Sequence, residues 1–114
     1  MEDKSIFEKI LSREISSNII FESDNVFAIH DINPVAPIHI LIIPKKKIPT
    51  MNDIEDGDWK LISELVFTAK ELAKEYKIND TGYRLIWNTN QDALQTVFHI
   101  HLHLIGGKKL SWNF

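Results

Sequence analysis

Three histidines at every second position near the end of the chain, His99, His101 and His103, constrain its fold more than any other feature. Side chains of a β-strand point alternately to its two faces, so this spacing predicts a strand at residues 97–105 with all three imidazoles on one face. Neighbouring rings should then lie about 6.6 to 6.8 Å apart, which is twice the rise per residue. The residues expected to cover the opposite face are apolar: Phe98, Ile100, Leu102 and Leu104.

Imidazoles grouped in this way need a chemical reason, and three interpretations compete. Structural histidines on a buried face would each need a hydrogen-bond partner, which argues against this interpretation for three rings together. A zinc site would use two histidines at i and i+2 with a third nitrogen or a carboxylate. Phosphoryl or nucleotidyl transfer would use one imidazole to attack phosphorus and its neighbours to donate hydrogen bonds to the oxygens. The spacing alone does not separate these last two.

Length and composition limit what else the chain can be. At 114 residues it is expected to form a single domain over residues 1–114. It has no cysteine, which removes disulfides and thiolate metal sites and fits a reducing cytoplasm. The net charge of -3 disfavours general binding of nucleic acid, and the acidic N-terminus is unlike a secretory signal. No apolar stretch approaches the roughly 18 residues of a membrane span. We therefore expect a cytoplasmic protein that binds neither nucleic acid nor membrane.

Hydrophobic periodicity predicts two main helices and several strands. Residues 4–12 carry apolar side chains on one helical stripe after Ser5, a suitable N-cap. The longest periodic segment, residues 58–76, predicts an amphipathic helix of about five turns. Strands are predicted at residues 18–22, 26–30, 38–44, 83–87 and 97–105. Strands that follow one another without a helix between them should pair antiparallel, so the predicted class is α+β.

The residues around the histidines narrow the interpretation. The motif His-Ile-His-Leu-His-Leu-Ile at 99–105 is preceded by Asp-Ile-Asn-Pro-Val-Ala-Pro-Ile-His at 31–39. Together they resemble the signature of the histidine triad (HIT) superfamily, and of its Hint branch in particular. Further landmarks of that branch follow in order, and the resemblance covers essentially the whole chain. They are Ile-Leu-Ile-Ile-Pro at 40–44, Tyr-Arg-Leu-Ile-Trp-Asn at 83–88, Gln-Thr-Val-Phe-His at 95–99, Gly106-Gly107 and Trp112.

The resemblance implies a fold and an activity. The expected fold is a five-stranded antiparallel sheet with two main helices, extended across the two-fold axis of a homodimer. The expected activity is that of a purine nucleoside phosphoramidase or nucleotide hydrolase, which releases a nucleoside 5'-monophosphate of the AMP or GMP type through a covalent nucleotidyl-histidine. Two alternatives are a dinucleoside polyphosphate hydrolase of the Fhit-like kind and a low-turnover nucleotide-binding or protein-interaction module.

The resemblance also assigns roles to individual residues. His101 matches the nucleophile, His99 the residue that orders its ring, and His103 the contact to phosphate and leaving group. His39 matches an upstream histidine that completes the pocket. The remaining matches are Asn88 and Thr96 for phosphate, Asp31 for ribose, and Ile6, Phe7, Ile10, Ile29 and Ile32 for the slot that holds the base.

The chain departs from the family pattern at two places. Many Hint relatives have Cys-x-x-Cys and a further histidine that bind zinc together with the first triad histidine, which is His99 here. Ser5, Glu8 and Lys47 occupy the other three positions in this chain. We therefore predict no metal and no cofactor. Asn90 and Leu94 stand where the relatives have glycine, in the loop before Thr96. Glycine readily takes a positive φ and leucine does not, so Leu94 favours the low-turnover alternative.

Overall fold

The computed structural model describes residues 4–112, so the predicted domain over residues 1–114 includes termini outside this range. Within it the helices are α1 (Ile6–Leu11) and α2 (Trp59–Glu75). The strands are β1 (Ile19–Glu22), β2 (Val26–His30), β3 (Ile38–Pro44), β4 (Tyr83–Ile86) and β5 (Leu102–Gly106). They form one antiparallel sheet in the order β1-β2-β3-β5-β4. This confirms the predicted α+β class, with a five-stranded antiparallel sheet and two main helices.

Helix α1 begins where the sequence predicts, because Ser5 caps it. The Ser5 Oγ accepts a hydrogen bond from the Glu8 N–H at 3.0 Å, and the Glu8 carboxylate accepts one from the Ser5 N–H at 2.9 Å. This reciprocal pair satisfies backbone donors that the start of a helix leaves without partners. Phe7 and Ile10 are buried beneath the helix. A helix of only six residues is therefore held by its cap and its packing.

Helix α2 covers one face of the sheet. Its buried stripe consists of Leu65, Thr68, Ala69, Leu72 and Ala73. The strand residues in the same core are Val26, Ala28, Ile40, Ile42, Leu102 and Leu104. Burial of these apolar surfaces is the main favourable contribution to the stability of the fold. Between residues 4 and 112, no helix is long and apolar enough to cross a membrane.

The opposite face of the sheet is covered by α1. On β3, Leu41 and Ile43 belong to this side, while Ile40 and Ile42 face α2. Leu41 pairs directly with His103 on β5, and cross-strand partners project to the same face. A second, smaller apolar cluster forms under α1 from Phe7, Ile10, Phe27, Ile29, Leu41 and Ile43. The central strand β3 is thus buried on both faces, as its apolar sequence predicts.

The histidine strand is shorter than predicted. Strand β5 begins at Leu102, so the prediction of a strand from residue 97 is wrong for its first part. The residues before Leu102 do not pair with a neighbouring strand, and the Ile100 N–H instead donates to the Ile48 carbonyl at 2.8 Å. Ile100 is buried on the α2 side as expected, but Phe98 is 48% exposed and does not cover that face. The alternation of side chains between the two faces therefore continues from Leu102 back to Ile100 and is lost at Phe98.

Candidate active site

Four imidazoles form a continuous group on the face that α1 covers. The Phe7 ring meets His99 and His101 edge to face, with ring centroids 5.6 and 5.0 Å apart. The rings of His101 and His103 lie 5.1 Å apart, closer than the predicted spacing, because His101 precedes the ladder of β5 and the two rings tilt at 55° to each other. His39 from β3 lies 5.2 Å from His103. The structure thus brings together all four histidines selected from the sequence.

A first chain of hydrogen bonds fixes the protonation of His101. The His99 Nε2 lies 2.7 Å from the Pro44 carbonyl, which can only accept, so this nitrogen carries the hydrogen. The His99 Nδ1 then accepts from the Ser5 hydroxyl at 2.7 Å. The His99 carbonyl in turn accepts from the His101 Nδ1 at 2.9 Å. In neutral His101, the hydrogen therefore sits on Nδ1 and the lone pair on Nε2.

A second chain fixes the protonation of His103. The Val35 N–H donates to the His39 Nδ1 at 3.2 Å, so the hydrogen of neutral His39 is on Nε2. This Nε2 lies 2.9 Å from the His103 Nδ1 and donates to it. The hydrogen of neutral His103 is consequently on Nε2. The two series of hydrogen bonds therefore give the neighbouring rings opposite hydrogen-bonding roles. His101 presents an acceptor lone pair on Nε2, and His103 presents a donor N–H on Nε2.

Burial keeps the imidazoles neutral. It is the largest cause of a lowered pKa at His39, His99 and His101. At His101, the hydrogen bond to the His99 carbonyl and the charge of Asp31 raise the pKa and partly offset this effect. Burial, followed by the charges of His101 and His39, lowers the pKa of His103 to about 4. Near neutral pH each ring therefore has one donor nitrogen and one acceptor nitrogen.

A cavity of about 470 Å³ opens beside these rings. It is lined by His101 and His103, whereas His39 and His99 support them from outside the lining. Its volume lies within the range typical of small-molecule sites. The other residues selected from the sequence all line this same cavity: Ile6, Phe7, Ile10, Ile29, Asp31, Ile32, Asn88 and Thr96. Ile32 is 85% exposed, so before a ligand binds it forms an open wall and not a buried slot.

Asp31 lies between β2 and β3 and contacts both its own turn and the histidines. One carboxylate oxygen accepts from the Asn33 N–H at 2.8 Å, and the other lies 3.4 Å from the His39 Nε2. Ligand atoms of Asp31, His39 and His103 come within 4.8 Å of one another, which is close enough for a shared metal ion. However, the Val35 N–H already uses the only lone pair of neutral His39. The donor set fits a metal poorly, and the absence of a metal stays a prediction.

The three positions at which relatives have zinc ligands form a different network here. Ser5 hydrogen-bonds to the fourth position, His99, while the Lys47 Nζ lies 3.7 Å from the Glu8 Oε1. A hydroxyl and an ammonium group do not match the thiolate and imidazole ligands that zinc prefers. A hydrogen bond and an ion pair therefore link α1 to the rest of the site.

The loop before Thr96 has a positive φ at both positions where the sequence departs from glycine. Asn90 has φ of 66° and Leu94 has φ of 64°, which are left-handed values. For a leucine this conformation costs roughly 1 to 2 kcal/mol. Leu94 also lines the cavity and is 78% exposed. The departure noted in the sequence thus leaves local strain beside the cavity.

Several lining residues were missed by the sequence analysis: Ile15, Ser16, Ser17, His30, Asn33, Leu41 and Val97. Leu41 could have been found, because it lies two residues after His39 on a predicted strand and must share its face. Ser16 and Ser17 follow α1 in an irregular segment and carry no periodic signal. The backbone groups of Val35 and Pro44, which fix two of the rings, are likewise invisible in a sequence pattern.

Comparison with known proteins identifies the family of the chain. The chain matches the HIT domain model over residues 12–110. Purine nucleoside phosphoramidase of Escherichia coli (strain K12) is 46% identical over 110 residues, covering 96% of this chain and 92% of the relative. A HIT family hydrolase from Legionella pneumophila Philadelphia 1 has a TM-score of 0.93 at 45% identity, covering 96% of this chain and 97% of that one. A histidine triad protein from Clostridium difficile has a TM-score of 0.92 at 42% identity, covering 100% and 99%.

The chain therefore belongs to the HIT domain family, as the resemblance implies. The names of these relatives, a phosphoramidase and a HIT family hydrolase, support a hydrolase function for it.

Proposed function

We propose that the protein is a purine nucleoside phosphoramidase that hydrolyses a phosphorus–nitrogen bond and releases a nucleoside 5'-monophosphate. The observation that carries the proposal is the protonation state of His101. Its Nδ1 donates to the His99 carbonyl at 2.9 Å, which leaves the Nε2 lone pair available to attack phosphorus. Burial lowers the pKa of His101, so this lone pair remains unprotonated near neutral pH.

The reaction follows from the two neighbouring rings. Attack forms a bond between His101 Nε2 and phosphorus and breaks the bond from phosphorus to the leaving nitrogen. The His103 Nε2–H donates a hydrogen bond to the leaving nitrogen, which takes up a proton from solvent and departs as an amine. Water then attacks phosphorus, the bond to His101 breaks, and the proton that water releases returns to solvent. The nucleoside monophosphate is the second product, and no metal or cofactor takes part.

The other residues that line the cavity are assigned to binding. Asn88 and Thr96 supply uncharged hydrogen-bond donors for the phosphate oxygens. Asp31 accepts hydrogen bonds from the ribose hydroxyls. The purine lies between the apolar side chains Ile6, Phe7, Ile10, Ile29 and Ile32. We assign this activity to a single domain over residues 1–114 that acts in the cytoplasm, which the absence of cysteine fits.

We also propose that the chain forms a homodimer through the edge strand β4. Tyr83 and Leu85 on β4 are partly exposed, and Trp59 and Trp112 are 56% and 74% exposed. An unpaired edge beside exposed apolar side chains suits pairing with a second copy. We expect the C-terminal segment at 110–114 to reach the partner's site, although residues 113–114 lie outside the described range. Sedimentation should give a dimer, and deletion of 110–114 should change substrate preference; a strict monomer would refute this.

A substrate comparison tests the function. Adenosine and guanosine 5'-phosphoramidates should be hydrolysed to AMP and GMP with a much higher kcat/KM than diadenosine polyphosphates. A preference for the diadenosine substrates would instead support the Fhit-like alternative. Tight AMP binding with negligible turnover of either class would support the low-turnover module, which the strained Leu94 favours.

Chelation tests the prediction that no metal is needed. Exhaustive treatment with a chelator should leave phosphoramidase activity unchanged, and elemental analysis should find no stoichiometric zinc. Loss of activity on chelation, restored by one metal equivalent, would show that the metal site interpretation was correct.

A further inference from the structure

We propose that Ser5 is a positioning residue, which links helix α1 to the nucleophile through His99 and so couples binding of the base to the orientation of His101. The inference rests on the proposed function and adds to it a residue outside the motif and a route between two parts of the site. It begins from a contact that joins residues far apart in the chain, the 2.7 Å hydrogen bond between Ser5 and His99.

The direction of this hydrogen bond is fixed by its surroundings. Because the Pro44 carbonyl holds the hydrogen of His99 on Nε2, the Nδ1 can only accept, and the Ser5 hydroxyl must donate to it. The Ser5 oxygen meanwhile accepts from the Glu8 N–H at 3.0 Å. His99 is only 1% exposed, so water does not readily replace the hydroxyl. Ser5 is the described side chain that satisfies the second nitrogen of His99.

The position of His99 directly affects the orientation of the His101 ring. The His99 carbonyl is the acceptor for the His101 Nδ1 at 2.9 Å, and it belongs to the same residue whose ring is held at both nitrogens. A shift of His99 would therefore move the acceptor that orients the nucleophile ring. Since residues 97–101 have no strand partner, the sheet ladder does not restrain this segment, which is held by the backbone hydrogen bond from Ile100 to Ile48 and by side-chain contacts such as those of His99.

Helix α1 connects the same contact to the base slot. Ser5 is the N-cap of α1, and the residues that follow it, Ile6 and Phe7, line the cavity. The Phe7 ring also touches the rings of both His99 and His101. A purine placed against Ile6 and Phe7 would press on a helix of six residues, whose position is transmitted to His99 through Ser5. Base binding and orientation of His101 should thus depend on each other.

The Glu8 and Lys47 contact supplies a comparison. It also joins α1 to another part of the chain, the segment after β3, but at 3.7 Å and between partly exposed groups it touches neither nitrogen of His99. Exposed ion pairs contribute little to stability. Replacement of Glu8 by Gln should therefore change turnover much less than replacement of Ser5, although both side chains help to attach the same helix.

A pair of substrates separates positioning from simple stabilisation. Adenosine 5'-phosphoramidate and ribose 5-phosphoramidate contain the same bond to be cleaved, and only the first has a base. In Ser5→Ala, kcat for the adenosine substrate should fall about tenfold with little change in KM, the order expected for one lost hydrogen bond to a buried group. For the ribose substrate, kcat should fall less than about threefold, because this substrate has no base to press on α1 and so does not use the contact between Ser5 and His99.

Three further variants test whether the effect comes from the Ser5 hydroxyl itself and not from the loss of the N-cap or from any change on α1. Ser5→Thr keeps the hydroxyl and should restore the wild-type ratio of the two kcat values. Ser5→Gly removes the hydroxyl but keeps an acceptable N-cap, so it should behave like Ser5→Ala. Ser12→Ala removes a hydroxyl at the other end of α1, where it contacts Glu14, and should have no effect. Equal falls for both substrates in Ser5→Ala, or no fall, would overturn the coupling.

A spectroscopic measurement keeps the test independent of the reaction. In ligand-free protein, imidazole nitrogen NMR should show a changed signal for His99 in Ser5→Ala but not in Ser12→Ala, and with AMP bound the His101 signal of Ser5→Ala should change as well. A changed His99 signal with an unchanged His101 signal in the AMP complex would refute transmission. If the wild type hydrolyses neither phosphoramidate, the proposed function fails, while this spectrum still decides whether Ser5 positions His101.

Discussion

The two faces of the sheet use the same strands in opposite ways. Toward α2, strands β3 and β5 present Ile40, Ile42, Leu102 and Leu104, all buried in one apolar core. Toward α1, the alternate positions present His39 and His103, whose nitrogens are paired with each other and with a backbone N–H. A helix of 17 residues closes the first face, and one of six residues leaves a cavity on the second. Stability and chemistry are thus divided between alternate residues of the same strands.

The difference shows what each face depends on. Apolar packing is not directional, and truncation of a buried apolar side chain lowers the free energy of unfolding. The histidine face depends on hydrogen bonds in which each donor has one acceptor, so loss of a group there should change reactivity first. Substitutions on the two faces should therefore separate stability from turnover, and the following predictions test this division.

The largest effect is expected at His101, the proposed nucleophile. His101→Ala should lower kcat on adenosine 5'-phosphoramidate by about 10³-fold or more, because in the proposed mechanism it removes the group that forms the covalent intermediate. AMP binding should change little, since base, ribose and phosphate contacts remain. Steady-state kinetics and calorimetry measure the two quantities, and rapid-quench mass spectrometry of the wild type should find the adduct on His101. An adduct on another residue, or near-normal turnover in His101→Ala, would contradict the assignment.

The opposite face should show the reverse behaviour. Leu104 is fully buried under α2, so Leu104→Ala should reduce the free energy of unfolding by about 2 to 5 kcal/mol. Activity per folded molecule should remain close to that of the wild type. Urea denaturation measures the stability. The matched variant is Leu85→Ala, since Leu85 pairs with Leu104 across the strands and is 38% exposed. A cost at Leu85 as large as that at Leu104 would show that a dimer covers this edge.

The pH dependence of stability should come from the histidine face. Burial lowers the pKa of His39, His99 and His101, and that of His103 to about 4. In the unfolded chain a histidine has its ordinary pKa of about 6.5, so below this pH the unfolded chain binds more protons than the folded protein does. Stability should therefore be constant above pH 7 and fall between about pH 6.5 and 4.

Urea denaturation at pH 7 and pH 5 measures this loss. His103→Gln should reduce the difference in stability between the two pH values, because it removes a histidine whose pKa is lowered to about 4. Leu104→Ala should lower stability at both pH values and leave the difference unchanged. Equal pH dependence in the wild type and His103→Gln would argue against a neutral, buried His103.

The smallest effect concerns the strained loop beside the cavity. Leu94→Gly should stabilise the protein by about 1 kcal/mol, since glycine takes a positive φ at no steric cost. The control is Ala93→Gly, which lies in the preceding turn without a positive φ and should be neutral or destabilising. Thermal unfolding compares the two. A destabilised Leu94→Gly would show that contacts of the leucine side chain outweigh the backbone strain.

Much of the fold could be predicted because its signals are local. Helix α2 and the stripe under α1 follow from apolar residues at helical spacing, and β3 follows from a continuous apolar run that ends at Pro44. The prediction failed at Phe98 because alternation describes side-chain direction and carries no information about a strand partner. A strand needs a neighbour to pair with, and residues 97–101 have none.

The candidate site divides in the same way. Its histidines and apolar walls could be selected from spacing and from the family resemblance, and all the selected residues that should touch a nucleotide line one cavity. The contacts that orient the histidines were mostly not predictable. The resemblance indicates that Ser5 lies near His99, because relatives have zinc ligands at both positions, but no pattern signals the backbone contacts of Pro44 and Val35, which join distant parts of the chain.

The central pairing of β3 with β5 has a consequence for how the molecule folds. Strands β1, β2 and β3 follow one another and pair locally, whereas β5 must return past α2 and β4 to reach β3. Long-range closure is slow because its entropic cost is met before its contacts form. His39 and His103 approach each other only across this last pairing. A chain still emerging from the ribosome would hold a formed hairpin long before it held the histidine group, so reactivity would arise only on completion of the fold.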